Sequence, residues 1–354
     1  MRKTFRIIAI TLLVIIFSYI GISVISWKMK PVAEAGIFVE RKGTAIAMTG
    51  AAARIVQEVA LLEELQKTGW LRKPCFISGT SSGALNTVML NAILSKRFSW
   101  DRYHNILFNL KSEDVFIRDG NKLPLNTDPL KNLLIRTIRD SLGFDSLGSL
   151  TYPSSISITD IRVLPLGTRT YRMSNIRMNA ESDPSLSIVD VLMASTAIPL
   201  LFPPAKLDIG GLKLVTTFID GGVAEDHIPY QAVIQFEKFR GVGVDTLLII
   251  SRKCDTASRL DKEMQTFGIS DSKLYERAGV RIENMAYEGF IRQMKALQAN
   301  YPELAAHTYI YIPDFEENFH LLDFNQMKEQ YEITAKWAKT HKPVPLDEYL
   351  KNAK

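Results

Sequence analysis

From Thr44 onward, short apolar runs alternate with longer stretches in which apolar residues recur every three or four positions. The short runs, at Thr44–Met48, Cys75–Ser78, Ser155–Ile158, Leu212–Ile219, Thr246–Ile250 and Thr308–Ile312, read as strands. The longer stretches read as helices. Ile55, Val59 and Leu62 share one helical face with Gly69 as a C-cap, Ala84–Leu94 forms a second helix, and SIVDVLMAS is capped near Ser187 and stopped by Pro199. Lys273–Leu304 is mostly helical, with Gly279 and Gly289 as weak points, and a last helix covers Met327–Lys339. This alternation predicts an α/β fold, a three-layer α/β/α sheet with helices on both faces. Gly210 and Gly211, between AKLDI and LKLVTTFI, predict a two-residue hairpin and hence an antiparallel edge. No repeat or long linker interrupts the pattern. Residues 31–354 therefore read as one domain, with a core over 44–229 and peripheral helix and strand cover over 255–354.

The segment Ile7–Ser26 obeys neither period. It is uncharged and as long as the roughly 20 residues that a membrane-spanning helix needs. Trp27, Lys28 and Lys30 follow it as interfacial residues, so residues 1–30 read as a single-pass N-terminal anchor. A secretory signal is the alternative, with Ala33–Glu34–Ala35 as a small-x-small cleavage site and a secreted or periplasmic mature chain. The leader also changes the reading of charge. The formal net charge is +5, but residues 1–30 carry five of the 43 basic residues and no acid, so the remaining chain balances 38 basic against 38 acidic residues. A neutral body argues against a nucleic-acid partner. Cys75 and Cys254, the only cysteines, have no metal-type spacing and cannot form a disulfide framework.

In CFISGTSSGALN a strand passes through small residues into a helix. Gly79 and Gly83 set a G-x-S-x-G register that selects Ser81, which is the context of a nucleophile elbow: strand and helix backbones crowd there, so the flanking residues must be small. A glycine-rich turn binding phosphate at a helix N-terminus is the plainer alternative. A serine needs a base. His307 and His320 stand in the chain order of a Ser/His/Asp esterase but in uninformative surroundings. Asp220, closing an apolar strand and followed by Gly221 and Gly222, is better placed, although Asp-Gly is also a hairpin signal. Upstream, the strand-to-helix turn Thr49–Arg54 offers unpaired N–H groups and a cation, the parts of an oxyanion hole. Alone, Arg54 reads as a solvated first-turn arginine, and the apolar ASTAIPLLFPP as core packing.

Taken in order, TGAAAR, GTSSG, ASTAIPLLFPP and FIDGG resemble the patatin-like phospholipase family over Thr44 to about Pro229. The resemblance implies a Ser/Asp dyad that hydrolyses lipid ester bonds without metal or cofactor. Ser81 would be the nucleophile, Asp220 the base, and Gly50, Ala51 and Ala52 the oxyanion hole with Arg54 beside it; the partners would be a lipid substrate and a bilayer. Two departures stand out. Ala51 and Ala52 occupy a turn that is glycine-rich in the family, and Glu225–Asp226–His227 replaces an asparagine-rich segment. The alanines are expected in helical or extended geometry, where the methyl costs nothing. If they impair the turn, the chain would be a lipid-binding relative without turnover.

Overall fold

The computed structural model describes residues 11–14, 17–18, 38–120, 122–161, 168–209, 215–269 and 285–353. Its strands are β1 (Thr44–Met48), β2 (Pro74–Thr80), β3 (Ser154–Asp160), β4 (Arg169–Ser174), β5 (Ala205–Asp208), β6 (Val215–Asp220), β7 (Thr246–Ile250), β8 (Thr308–Tyr311) and β9 (Val344–Pro345). The main helices are α1 (Ile55–Lys67), α2 (Ser82–Leu94), α3 (Trp100–Phe108), α4 (Asp128–Leu134), α5 (Ile188–Ser195), α6 (Tyr230–Arg240), α7 (Ala257–Gln265), α8 (Tyr287–Asn300), α9 (Pro302–Ala305), α10 (Met327–Ala338) and α11 (Leu346–Asn352). The described strands form one nine-stranded sheet in the order β5-β6-β3-β2-β1-β7-β8-β9, with β4 also paired to β3.

The centre of this sheet, β3-β2-β1-β7-β8, is parallel; β4 and β6 pair antiparallel with β3, β9 pairs antiparallel with β8, and β5 pairs antiparallel with β6. Every residue of β1 is buried, as a central parallel strand covered on both faces requires. Successive side chains point to opposite faces. Thus Ala45, Ala47, Leu247 and Ile249 pack with Val233 and Phe236 of α6 and Phe290 and Leu297 of α8. Ile46, Met48, Leu248 and Ile250 pack with Leu61, Leu62 and Leu65 of α1 and Leu90 of α2.

Each expected strand is present, most with shifted ends. The expected C-cap Gly69 lies just past α1 with φ +86°, a left-handed conformation that glycine adopts without penalty. Ser187 caps α5, its hydroxyl accepting from Asp190 N–H at 3.3 Å. β5 and β6 are antiparallel, with Asp208 opposite Val215, while the expected hairpin residues Gly210 and Gly211 lie outside the described residues. So does much of the expected helix from Lys273; its described part is α8 and α9. β4, missed in the sequence, reads RTYRMS, and its polar residues mask the strand period.

The C-terminal segment is more than peripheral cover. Phe319 and Leu321 contact the turn after β1, with Ala53 N–H donating to Leu321 O at 2.8 Å. On α10, Gln330 accepts from Gln57 of α1 at 3.0 Å. The anchor expected at Ile7–Ser26 falls largely outside the described residues. No helix among the described residues is long and apolar enough to cross a membrane.

Candidate active site

The site forms where β1, β2 and β7 end, the usual ligand position of a parallel sheet. Ser81 follows β2 with φ +55° and ψ −128°, and α2 starts at the next residue. Gly79 and Gly83 make that turn possible. A Cβ at Gly79 would lie 2.1 Å from Gly83 O, and one at Gly83 would lie 2.4 Å from Thr49 O. The register then brings up the acid. Thr80 pairs with Ser157 of β3, and the next β3 residue, Ile158, pairs with Asp220 of β6. Asp220 is therefore level with Ser81 across one intervening strand, and both residues line one small cavity.

Asp220 is followed by a short 3₁₀ turn, Gly221–Val223, not by the alternative hairpin. Gly222 N–H donates to Asp220 Oδ1 at 2.8 Å, and a Cβ at Gly221 would lie 2.2 Å from Ser157 O. Burial pushes the Asp220 carboxyl up to about 6, against the lowering influence of its bonds to Ser81 and Gly222. The ASTAIP segment has a role beyond core packing. Ser81 N–H donates to Ser195 Oγ at 2.9 Å, Ser195 Oγ donates to Ser157 O at 2.8 Å, and Asp220 N–H donates to Ala197 O at 2.9 Å. One short segment thus ties both candidate residues to the sheet.

The turn Gly50–Ala52 faces the serine, with a Cβ at Gly50 only 3.7 Å from Ser81 Oγ. Its donors are not equivalent. Ala51 N–H is committed to Ser82 Oγ at 2.6 Å, which leaves Gly50 N–H and Ala52 N–H without a partner among the described residues. Ser82 N–H, the first of α2, follows Ser81 directly and joins the same set of candidate donors, although the sequence reading did not include it. The expectation for the alanines is corrected at Ala52. It has φ +45°, a left-handed conformation that costs an L-residue about 1 kcal/mol, whereas Ala51 has φ −131°.

Arg54 is neither solvated nor turned toward Ser81. It is buried, ion-paired to Asp255 and Glu263, and its Nε donates to Phe319 O at 3.0 Å. Burial lowers its pKa, and Asp255 is the largest influence raising it again. Because Glu263 Oε2 also accepts from Leu321 N–H at 2.8 Å, this cluster clamps the Phe319–Leu321 loop onto the oxyanion turn. The candidate histidines lie elsewhere: His307 Nδ1 contacts Asp245 O, and His320 contacts Thr266 and Leu322 N–H. Both cysteines are free, and among the described residues no cluster of three acidic, His or Cys groups could hold a metal ion.

Two cavities meet at Ser81, sharing Ala52 and Ile198 as walls. The larger, about 790 Å³ with its mouth, runs between α2, α3 and α4 and is almost wholly apolar, lined by Leu85, Met89, Leu107, Leu134 and Phe202 among others. The smaller, about 390 Å³ with its mouth, holds Asp220, Gly222, His227 and Arg252. Sequence reasoning did not single out Arg252. The available signal was its place just after an apolar parallel strand, beside the ends of β1 and β2.

The sequence profile described as "Patatin-like phospholipase" matches residues 45–234. No curated protein matches the chain significantly. Among solved structures, VipD from Legionella pneumophila is 14% identical at a TM-score of 0.34, covering 85% of this chain and 67% of its own. The type III effector protein ExoU is 12% identical at 0.37, covering 89% of this chain and 54% of its own. The ExoU–SpcU complex of Pseudomonas aeruginosa gives 14% at 0.32, covering 75% and 59%. The chain thus spans about two thirds of VipD and little more than half of ExoU. The profile match covers more than half of the sequence and includes the elbow, the oxyanion turn and the Asp-Gly-Gly motif, so the chain belongs to the patatin-like phospholipase family, a family of carboxylic ester hydrolases.

Proposed function

We propose that this chain is a serine lipid acyl hydrolase in which Ser81 and Asp220 act as a dyad. The observation that carries the proposal is that the buried Asp220 carboxyl lines the same small cavity as a serine held at a strained strand-to-helix elbow. A carboxyl near 6 is a much better proton acceptor than one in water. His227, in the same cavity, is a poor one, because burial and the Arg252 charge lower its pKa to about 3.

In the first step Ser81 Oγ attacks the acyl carbonyl and its proton passes to Asp220. The oxyanion develops between the partner-free N–H groups of Gly50 or Ala52 and that of Ser82. The bond to the alcohol then breaks, and the alcohol leaves with the proton from Asp220. Water attacks the acyl-enzyme, gives its proton to Asp220, and the fatty acid departs as Ser81 recovers its proton. The apolar cavity suits the acyl chain, excluding water from it along most of its length. The Ile7–Ser26 segment would hold the enzyme at a bilayer, where its substrate is concentrated; resistance of the full chain to alkaline carbonate extraction from membranes tests this.

Ser81→Ala should abolish hydrolysis of a fluorescent acyl ester. Ser82→Ala, which removes the acceptor for Ala51 N–H, should keep a reduced rate. Wild-type turnover in Ser81→Ala would end the proposal. A lipid-binding protein without turnover is the second reading, favoured by the strain at Ala52 and the diverted Ala51 N–H. It predicts ester-lipid binding with no product from the wild-type chain in the same assay.

A further inference from the structure

Buried acids elsewhere in the protein meet an arginine: Asp226 pairs with Arg172, Asp255 and Glu263 with Arg54, and Glu237 with Arg41. Glu58 of α1 is different. It is fully buried, and its hydrogen-bond partners among the described residues are neutral side chains. The Thr49 hydroxyl is bonded to Glu58 Oε1 at 3.2 Å, and Asn86 Nδ2 donates to Oε2 at 2.9 Å. The chain continues at both ends: Tyr103 O–H donates to Asn86 Oδ1 at 2.7 Å, and Thr49 Oγ1 lies 2.6 Å from Ser251 Oγ. All five side chains are buried. A carboxyl held among neutral groups in the interior is costly to the fold, and the reaction steps derived above do not use it.

Its place in the chain of contacts supplies a reason. Thr49 immediately precedes Gly50, and its side chain is gripped by Glu58 on one side and Ser251 on the other. Further along, the turn is held by Ala51 N–H on Ser82 Oγ and Ala53 N–H on Leu321 O. We infer that Glu58 is a positioning residue for the reaction: acting through the Thr49 hydroxyl, its buried carboxyl holds the Gly50–Ala52 turn against Ser81. This rests on the hydrolase reading and adds to it a residue that never touches substrate. The contacts also decide where a proton sits. Asn86 Nδ2 donates to Ile55 O as well, at 3.3 Å, and Oδ1 accepts from Tyr103, so the amide cannot turn over and Glu58 Oε2 stays an acceptor. In the neutral acid the proton is therefore on Oε1, and Thr49 passes the chain on to Ser251. Burial pushes this carboxyl up to about 8, against the lowering influence of Asn86, Arg252 and Thr49, so the neutral form prevails at pH 7. The titratable and charged groups that face it are Arg252 after β7 and Tyr103 of α3, whose own pKa is raised by burial and by the Glu58 charge. Once ionised, Glu58 places a negative charge beside the turn that has to hold an oxyanion.

The test uses the full chain and a fluorescent acyl ester. Thr49→Val keeps the shape of the side chain and removes its hydroxyl; kcat should fall about ten- to a hundredfold with KM changed by less than about twofold, as expected when oxyanion donors are displaced slightly. Glu58→Leu should do the same. Glu58→Gln, whose amide can donate to Thr49 as the neutral acid does, should bring kcat at pH 7 back to within about threefold of the wild type. Between pH 7 and pH 9 the wild type should lose about tenfold in kcat as a group near 8 ionises, and Glu58→Gln should not. Loss of packing alone would produce neither the split between kcat and KM nor the change in profile. An unchanged kcat in a folded Thr49→Val protein, or a Glu58→Gln profile that still falls above pH 7, overturns the inference. A second arm reads the turn without turnover: amide hydrogen exchange over Thr49–Arg54 should quicken about tenfold in Thr49→Val and Glu58→Leu and stay at the wild-type rate in Glu58→Gln. If the wild type hydrolyses no ester, the hydrolase reading fails, and the exchange arm still decides whether Glu58 holds the turn.

Discussion

The two cavities that meet at Ser81 are built on opposite principles. The walls of the larger one come from helices and carry aliphatic and aromatic side chains whose burial stabilises the fold. The smaller one is walled by strand ends and tight turns, and it keeps a raised carboxyl, a neutral histidine and an arginine without a carboxylate partner among the described residues away from water. Burial favours folding on the first side and opposes it on the second. The comparison teaches where to look for chemistry: on the side where the structure holds groups at a cost in stability.

The sharpest way to break that comparison is Asp220→Asn. Removing the base should lower turnover about a thousandfold, within the range of general base catalysis. It should also stabilise the protein. The folded-state carboxyl near 6 binds its proton more tightly than an unfolded one near 3.8, so stability falls as pH rises between those values. Above about pH 6 the ionised group costs about 3 kcal/mol. The variant should therefore have a higher Tm than the wild type at pH 8 and no advantage at pH 4. Wild-type activity should decline below about pH 6. A variant that lost stability at pH 8 would show that the polar side is not held at a cost.

Arg54 offers the converse. Its charge is matched, so Arg54→Leu leaves the buried Asp255 and Glu263 with Arg259, a partly exposed cation, as their remaining ion-pair partner, and should cost about 3 kcal/mol, the low end for a broken buried pair. Urea denaturation should show a clear fall in midpoint. Activity should fall with it as the Phe319–Leu321 loop loosens from the oxyanion turn. No change in midpoint would mean that the matched arginine contributes little.

On the apolar side the expected effects are graded. Each added acyl methylene should raise kcat/KM about fourfold until the cavity is filled, following about 0.8 kcal/mol per buried methylene. Leu134→Trp, which fills part of the cavity, should move that plateau to shorter chains while sparing acetyl esters. A series of p-nitrophenyl esters reads this out, and an unmoved plateau would place the acyl chain elsewhere. The smallest effect belongs to Ala52→Gly. Relieving a left-handed alanine should add about 1 kcal/mol of stability, with turnover changed by less than about threefold.

Much of this site is legible in the sequence, and the reasons are local. Gly79 and Gly83 fix the elbow register because a Cβ at either would strike backbone two to three ångströms away, Gly83 O in the first case and Thr49 O at the end of β1 in the second. Asp220 stands out because two glycines follow a strand. Arg54 alone reads as solvated because its first-turn position is exposed in an isolated helix, and the partners that bury it lie about 200 residues along the chain. Ser195 was invisible for a similar reason. Nothing in ASTAIP announces that its serine accepts the nucleophile's own N–H.

The sequence by itself determined the alternation of strands and helices, the strand-to-helix elbow and the family, because each depends on steric and periodic rules that the residue order displays. The tertiary structure alone decided which charges are matched. Arg54 and Arg252 are both arginines beside strand ends, and only the packing of segments far apart in sequence gives one two carboxylates and leaves the other lining the Ser81 cavity with none among the described residues. Electrostatic cost inside a protein depends on who is near in space, and the order of residues along the chain does not fix that.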